Sequence, residues 1–446
     1  MKTKRIIIWL VVVAIFSGLY YGVNSFAKIF NGYAAKDLCS CIYLSERDQA
    51  SIEENDLKSF FVSLPTNVWD EENRTVTSTF LGMAKQTAVY RDGLGCALIN
   101  DADIETVKKQ NYKPQFPAFD PDTVYWPNGN KKRDTLLSNI NIPKLEKAIK
   151  NALNEGHTRG IVVAYDTLFM TEGYNNGFDQ NTRILGWSMT KSIMNALCGI
   201  LVKQGKLSLE GETPIHEWSN DERKIISLKN LLQMSSGLDW EEDYGKISDA
   251  TIMLFNKSDA AKYAITSPFK TTPDSEWYYS SGTSNIISEI IKRANPSYDD
   301  YIAMPQNELF NKIGIRSMVL EPDASGTFVG SSYAFATPRD WARFGLLYLQ
   351  DGYWGNEQIL PDGWVDFTRE TASNSKGEYG AQFWLNRDEF RELPDAPESI
   401  YFADGYNGQR VYIVPTYNLV IVRMGLSKHG EFDYNKFVTE VISAFD

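Results

Sequence analysis

A serine and a lysine stand three residues apart, Ser188 and Lys191, at the head of a run in which Ile193, Leu197, Ile200 and Leu201 recur at helical spacing. Such a stripe buries a helix face in a core, which leaves the first turn to face a surface or cleft. Residues i and i+3 share a helix face, so the hydroxyl and the amine come within hydrogen-bond reach. That sets a nucleophile beside a base. The first turn also offers unpaired N–H groups and the positive end of the helix dipole, suited to an alkoxide or oxyanion. Ser-x-x-Lys is a common pattern and a helix-starting serine is most often a cap, so the reading depends on the flanking sequence.

The 446 residues suit one large domain with an N-terminal extension. Asp and Glu outnumber Lys and Arg by 57 to 45, a formal charge of -12, and no basic cluster interrupts the acidic balance. Non-specific nucleic-acid binding is therefore excluded as a function class.

Lys2, Lys4 and Arg5 precede an uncharged stretch from Ile6 to Val23. Its length fits a short membrane-spanning helix or the core of a signal peptide, with the cationic end cytoplasmic. Ser25-Phe26-Ala27 has the small-residue spacing that signal peptidase reads, so residues 1–28 are expected to be a retained anchor or a peptide cleaved near Ala27. Both place the rest of the chain outside the cytoplasm, in the cell envelope or secreted. Disulfides persist there, and one bridge from Cys39 or Cys41 to Cys96 is expected. Cys39-Ser40-Cys41 lacks zinc-site spacing and partner histidines, Cys198 reads as a buried thiol, and no metal or cofactor is assigned.

Residues 29–140 form an irregular, proline-punctuated extension, with strands expected at Thr75 to Phe80 and Thr87 to Tyr90. From residue 141 the pattern tightens. Leu145, Ile149 and Leu153 mark a helix ended by Gly156, Gly160 to Tyr165 a strand, and Leu168 to Met170 its hairpin mate. The chain closes on two apolar strands, Val411 to Val414 and Leu419 to Val422, and a helix from Tyr434 to Phe445. This order predicts an α+β domain over 141–446, an antiparallel sheet flanked by terminal helices with a mostly helical subdomain inserted.

Histidine is the usual base for a serine, yet the chain has only His157, His216 and His429, each in a turn or helix end that reads as surface. The Gly-x-Ser-x-Gly of α/β-hydrolases is also absent, because Thr190 stands where its second glycine belongs. Lys191 is the better base, provided burial or a positive field lowers its pKa. A tyrosine in the aromatic loop Pro273 to Gly282 is a candidate second proton carrier. Ser235 and Ser236 have no lysine three residues downstream and are poor rivals to Ser188.

Trp187-Ser188-Met189-Thr190-Lys191-Ser192, Leu231 to Leu238, Tyr279-Ser280-Ser281-Gly282, Ala336 to Gly345 and Gly405-Tyr406-Asn407-Gly408-Gln409 occur in this order. Together they resemble the serine β-lactamase and penicillin-recognising superfamily, in its class C-related branch of esterases and 6-aminohexanoate-dimer hydrolases. The likeness covers about Ile142 to Asp446. It implies a β-lactamase/transpeptidase-like fold, Ser188 as acylated nucleophile, Lys191 as base and Tyr279 as the proton shuttle, Tyr279 being the tyrosine followed by Ser280-Ser281. The third family motif would place its glycine at Gly408, with the Gln409 N–H joining Ser188 N–H as oxyanion hole and Tyr406 and Asn407 in the substrate contact. The segments Leu231 to Leu238 and Ala336 to Gly345 are expected to be scaffold, with Asp239, Trp240 and Tyr244 at the cleft mouth.

The third motif departs from the family pattern, since Tyr406 and Asn407 stand where a lysine or histidine would grip a substrate carboxylate. Asp404 would repel such a group, and Arg410 should point to the strand face opposite Gln409. The expected activity is hydrolysis of a small neutral or cationic ester or amide by a metal-free serine hydrolase. The alternatives are a peptidoglycan D,D-carboxypeptidase or β-lactamase, and a non-catalytic envelope binding or sensor module.

Overall fold

Leu419 to Val422 and Ile161 to Ala164 are apolar at every position because both faces of their strands are covered. In the computed structural model, which describes residues 2–59, 61–133, 140–387 and 389–445, they form the middle of a six-stranded antiparallel sheet. Its strand order is Trp384–Leu385, Tyr401–Gly405, Gln409–Val414, Leu419–Gly425, Thr158–Tyr165 and Leu168–Tyr174. The last long strand pairs with the first, Val420 opposite Ala164 and Val422 opposite Val162, so the hydrolase-like region closes its ends on each other.

One face of this sheet carries the terminal helices. Leu145 and Ile149 of Ile142–Leu153, with Phe437 and Val441 of Tyr434–Ile442, pack on Ile161, Val163, Phe402, Tyr412 and Ile421. The alternate residues, Val162, Ala164, Val411, Val420 and Val422, face a larger core that includes the helices Pro338–Leu349 and Thr190–Lys203. The fold is the β-lactamase/transpeptidase-like arrangement expected, an antiparallel sheet with helices on both sides.

The stripe through Ile193, Leu197 and Leu201 is one side of a helix enclosed all round, since every residue from Thr190 to Leu201 is buried. Its polar members find partners inside. Ser192 donates to the Gln382 carbonyl at 2.7 Å, and Asn195 Oδ1 accepts from Tyr348 at 2.6 Å and Trp364 at 2.9 Å.

The N-terminal helix runs from Lys2 to Tyr43. Much of the Ile6 to Val23 run, on which the anchor expectation rests, has side chains outside the described residues. Among the described residues no helix is long and apolar enough to cross a membrane. From Ala27, which is fully buried within this helix, the segment enters the protein. Ala34, Ala35 and Leu38 share a core with Ile193 and Leu197, and Gly32 lies so near Phe255 that a β-carbon would sit 2.8 Å from its carbonyl oxygen. A four-stranded meander follows, Thr66–Asp70, Thr75–Phe80, Met83–Arg91 and Gly95–Leu98, and the disulfide Cys39–Cys96 ties it to the helix. Cys41 and Cys198 are buried free thiols. Leu38, Leu57, Val76, Ala88 and Cys96 of the extension thus share a core with the region after 141, and the irregular composition that marks the extension off is not a gap in packing.

One buried carboxylate fastens this extension. Glu321 accepts from Lys36 at 2.5 Å, Ser40 at 2.9 Å and the Cys96 N–H at 2.5 Å, joining helix, meander and the region after 141 at one point.

A second buried acid, Asp37, is only 6 % exposed, and its Oδ2 has no hydrogen-bond partner among the described residues. Burial, with Asp56 beside it, pushes its pKa up. The folded state therefore holds a proton that the unfolded chain releases, so stability is full below the ordinary carboxylate range and falls as pH rises through the folded value. Asp37→Asn should accordingly raise unfolding stability at pH 8 by about 1–2 kcal/mol and have little effect at pH 4, as urea titrations at the two pH values would read.

Candidate active site

Ser188 is presented by a short turn, Trp187–Met189, that runs directly into the helix Thr190–Lys203. Trp187 has φ of 48°, a left-handed conformation unusual for a bulky residue, and no side chain caps the helix start. Two close contacts hold that conformation. Thr190 donates to the Trp187 carbonyl at 2.7 Å and accepts from the Ala334 N–H at 3.0 Å. Gly186 lies on the Trp341 indole, where a β-carbon would come within 2.4 Å of the ring. Trp341 belongs to the Ala336 to Gly345 segment and supports the serine turn from beneath.

Lys191 is 1 % exposed. Its Nζ donates to the Ser188 Oγ at 3.1 Å, the Ser281 Oγ at 3.2 Å and the Ser331 carbonyl at 3.0 Å. None of these partners is a carboxylate. Burial lowers its pKa to about 8, against the opposing pull of Glu242 and Asp404. About one molecule in ten then carries the neutral amine at pH 7, enough for a base.

Tyr279 completes the group from the loop before the helix Ser281–Arg293. Its ring packs against Tyr379 and Trp384, and the Lys191 amine lies 4.7 Å from its ring centre. Burial drives the phenol pKa upward, partly offset by the neighbouring Ser188 side chain. The two environments separate the roles: a lysine eased toward neutrality can accept a proton, and a phenol kept protonated can donate one.

The structure thus brings Ser188, Lys191 and Tyr279 together, and it leaves Gly408 and Gln409 elsewhere. Gln409 turns its side chain to the Gly425 carbonyl at 2.7 Å and the Gly425 N–H at 2.9 Å, while a β-carbon on Gly408 would meet Tyr434 and Arg423. The glycine beside the serine turn is Gly405, whose β-carbon would lie 2.1 Å from the Gly186 oxygen. The third motif is therefore Ala403-Asp404-Gly405, three residues earlier than the sequence register.

Strand alternation then orients this motif. The Asn386 N–H bonds the Ile400 carbonyl in the ladder that pairs Trp384 with Phe402, so even-numbered residues of Tyr401–Gly405 face that outer edge. Trp384–Leu385 ends there. The same alternation aims the Asp404 carbonyl at the open edge beyond that strand, and Tyr406 follows Gly405 as the first residue of the hairpin turn. Tyr406 itself leans its ring edge-on against Trp187 at 5.7 Å and is mostly exposed, and Asn407, with φ of 63°, holds the hairpin tip.

Asp404 faces across the pair to Arg410, whose Nε lies 2.5 Å from its carboxylate, and Arg410 also reaches Glu392 at 2.8 Å. Arg410 sits on the face with Phe402 and Tyr412, opposite Gln409, as strand geometry requires. The cluster offers two acids to one arginine. No free cation stands at the third motif among the described residues.

Three groups around Lys191 were not assigned from sequence. Ser281 was visible in the Tyr279 motif without a role. Ser331 contributes only a carbonyl, which no residue type signals. Glu242 lies in Trp240-Glu241-Glu242-Asp243-Tyr244, and nothing in that acidic run marks the one carboxylate that turns inward. Trp240, expected at the cleft mouth, is buried against Gly282, whereas Tyr244 remains 54 % exposed with its hydroxyl 3.0 Å from the Ser281 Oγ. The three histidines are all exposed.

Asp37, Cys41 and Asp56 group their ligand atoms within 4.8 Å, the spacing of a metal site. Arg47 and Arg159 already bind the two Asp56 oxygens at 2.7 and 2.8 Å, a setting that repels a cation. The cluster reads as a buried ion-pair network.

A family model described as Beta-lactamase matches residues 145–437, more than half of the chain. The chain belongs to the Beta-lactamase family. This Beta-lactamase family member is 23% identical over 312 residues to the 6-aminohexanoate-dimer hydrolase of Paenarthrobacter ureafaciens, a match spanning 64% of this chain and 75% of that protein. Its fold is similar to a penicillin-binding protein homologue from Caulobacter crescentus, with TM-score 0.55, 12% identity and coverage of 71% and 99% of the two chains. It is also similar to EstCE1, a hydrolase with promiscuous acyltransferase activity, with TM-score 0.53, 13% identity and coverage of 68% and 97%.

Gly405→Ala should push the strand away from the serine turn. The expected result is at least a tenfold loss of reactivity toward an active-site serine probe, with about 1–3 kcal/mol of destabilisation, measured by labelling rate and by melting.

Proposed function

We propose that this protein is an exported serine hydrolase that forms an acyl-enzyme on Ser188 and cleaves a small ester or amide with a neutral or cationic acyl group. The observation that carries the reading is the Lys191 amine, buried and 3.1 Å from the Ser188 hydroxyl, with its pKa lowered to about 8. As Ser188 Oγ attacks the carbonyl carbon, its proton passes to Lys191 Nζ. The developing oxyanion is met by the Ser188 and Tyr406 amides, Tyr279 delivers a proton to the departing oxygen or nitrogen, and the Lys191 ammonium returns the proton it took from Ser188 to Tyr279, which leaves Lys191 neutral again. Water then repeats the sequence to release the acid.

Asp404 and Glu392 favour acyl groups without a carboxylate, which weighs against penicillins and D-alanyl peptides. Export is supported by the Cys39–Cys96 disulfide, a bond that persists in oxidising compartments. On this reading residues 1–28 hold the catalytic region at the outer side of a membrane, or release it if cleaved near Ala27.

A fluorophosphonate probe should label the native protein at Ser188, located by mass spectrometry, and Ser188→Ala should lose labelling and about 10³-fold or more of turnover while melting as the native does. Equal labelling of both proteins would refute the assignment. With a panel of acyl esters, the labelling and turnover rates should rise as pH increases through about 8, because the base is the deprotonated Lys191.

A further inference from the structure

A neutral amine has two N–H bonds and one lone pair, and it can activate Ser188 only if the lone pair, not an N–H, meets the Ser188 proton. Lys191 has three oxygen neighbours, at Ser188, Ser281 and Ser331. The Ser331 carbonyl can only accept, so it takes one N–H. Ser281 is ambiguous. Its hydroxyl could accept the second N–H or donate its own proton to the lone pair, which would leave Lys191 unable to act as a base.

Glu242 removes the ambiguity. Its Oε1 accepts from the Ser281 Oγ at 2.5 Å and from the Tyr244 hydroxyl at 2.8 Å, and its Oε2 accepts from the Ser281 N–H at 2.9 Å and the Trp240 indole at 2.6 Å. The Ser281 and indole N–H groups can only donate, so Oε2 accepts twice and Oε1 is the oxygen that faces the Ser281 and Tyr244 hydroxyls. The short Ser281 bond commits the hydroxyl proton to Glu242 and turns an oxygen lone pair toward Lys191. Both N–H bonds of the neutral amine are then used, and its lone pair is left to Ser188. The placement of Glu242 is itself fixed, since Trp240 packs on Gly282, where a β-carbon would lie 2.7 Å from the indole, and the Tyr278 hydroxyl accepts from the Glu242 N–H at 3.1 Å.

We propose that Glu242 is a positioning residue that acts through Ser281 to orient the lone pair of Lys191 at Ser188. The inference rests on the proposed function, because it assigns a role only if Lys191 is the base. Glu242 makes no hydrogen bond to Ser188 or Lys191 themselves, and the exposed Tyr244 holds it by its hydroxyl. The charged and titratable groups facing Lys191 are Glu242, Asp404 and Tyr279, with Arg410 behind Asp404. Glu242 is the foremost influence holding the Lys191 pKa up against burial. A variant without that charge should therefore have a base that deprotonates at lower pH and yet works less well.

Glu242→Gln keeps the shape, removes the charge and lets an amide N–H donate to Ser281. The test is the acylation rate of full-length protein with the fluorophosphonate probe and with a neutral acyl ester, followed across pH. The expected result is about a 100-fold fall in kcat and in labelling rate, KM within about threefold of native, and a rate midpoint moved to lower pH. Ser281→Ala, a smaller change, should lower the rate comparably and leave the midpoint in place, because Glu242 remains. It carries the test if Glu242→Gln melts well below the native protein. Labelling and turnover of Glu242→Gln within about threefold of native, with an unmoved midpoint, would overturn the proposal, as would Ser281→Ala at native rates. A native protein that fails to label at Ser188 would overturn the proposed function and this inference together, whereas native labelling with indifferent variants would overturn this inference alone.

Discussion

The burial of the Lys191 amine without a carboxylate in contact is the constraint on which the site depends. A fully surrounded ammonium would be held by an adjacent anion, and that anion would keep it charged. Here the immediate partners are two hydroxyls and a carbonyl, and the nearest carboxylate, Glu242, stands one hydroxyl away. The amine is consequently solvated well enough to exist as a cation and poorly enough to lose its proton near neutrality. Reaching that balance requires an enclosed helix, and Thr190 to Leu201 are buried on every side although Ser188 in the preceding turn is half-buried.

The approach of sheet to helix is the second requirement. Gly186 and Gly405 meet backbone to backbone, with Trp341 beneath the first. Any side chain at either position would lift the strand edge from the serine turn. The strained Trp187 conformation survives because these contacts and the Thr190 bonds leave it no alternative. Trp187 in turn stacks on Tyr33 from the N-terminal helix at 5.7 Å, so the extension forms part of the wall behind Ser188. Glu321 and the Cys39–Cys96 bridge keep that helix in place. The extension is structural support for the site.

Much of this was legible in the residues. The helix of Ser188 and Lys191, the strands at Thr158–Tyr165 and Leu419–Gly425, the terminal helices and the exposed histidines follow from local spacing and patterning, and the structure has them. The disulfide was left open between Cys39 and Cys41, since neighbouring cysteines on one helix differ only in the direction they face. The third motif was misplaced by three residues because Gly405 and Gly408 are both glycines beside a tight hairpin. Only the contact with Gly186 distinguishes them, and that contact joins residues more than two hundred positions apart.

The sequence by itself determined what is local: an amine one helical turn from a hydroxyl, a tyrosine ahead of a helix, and strands apolar on both faces. These depend on periodicities of two and 3.6 residues, which a linear chain displays directly. The tertiary structure decided which glycine meets the serine turn, which of several acidic residues turns inward to Ser281, and how far the Lys191 pKa falls. Those properties depend on distances between remote segments and on the exclusion of water, and neither exists until the chain has folded.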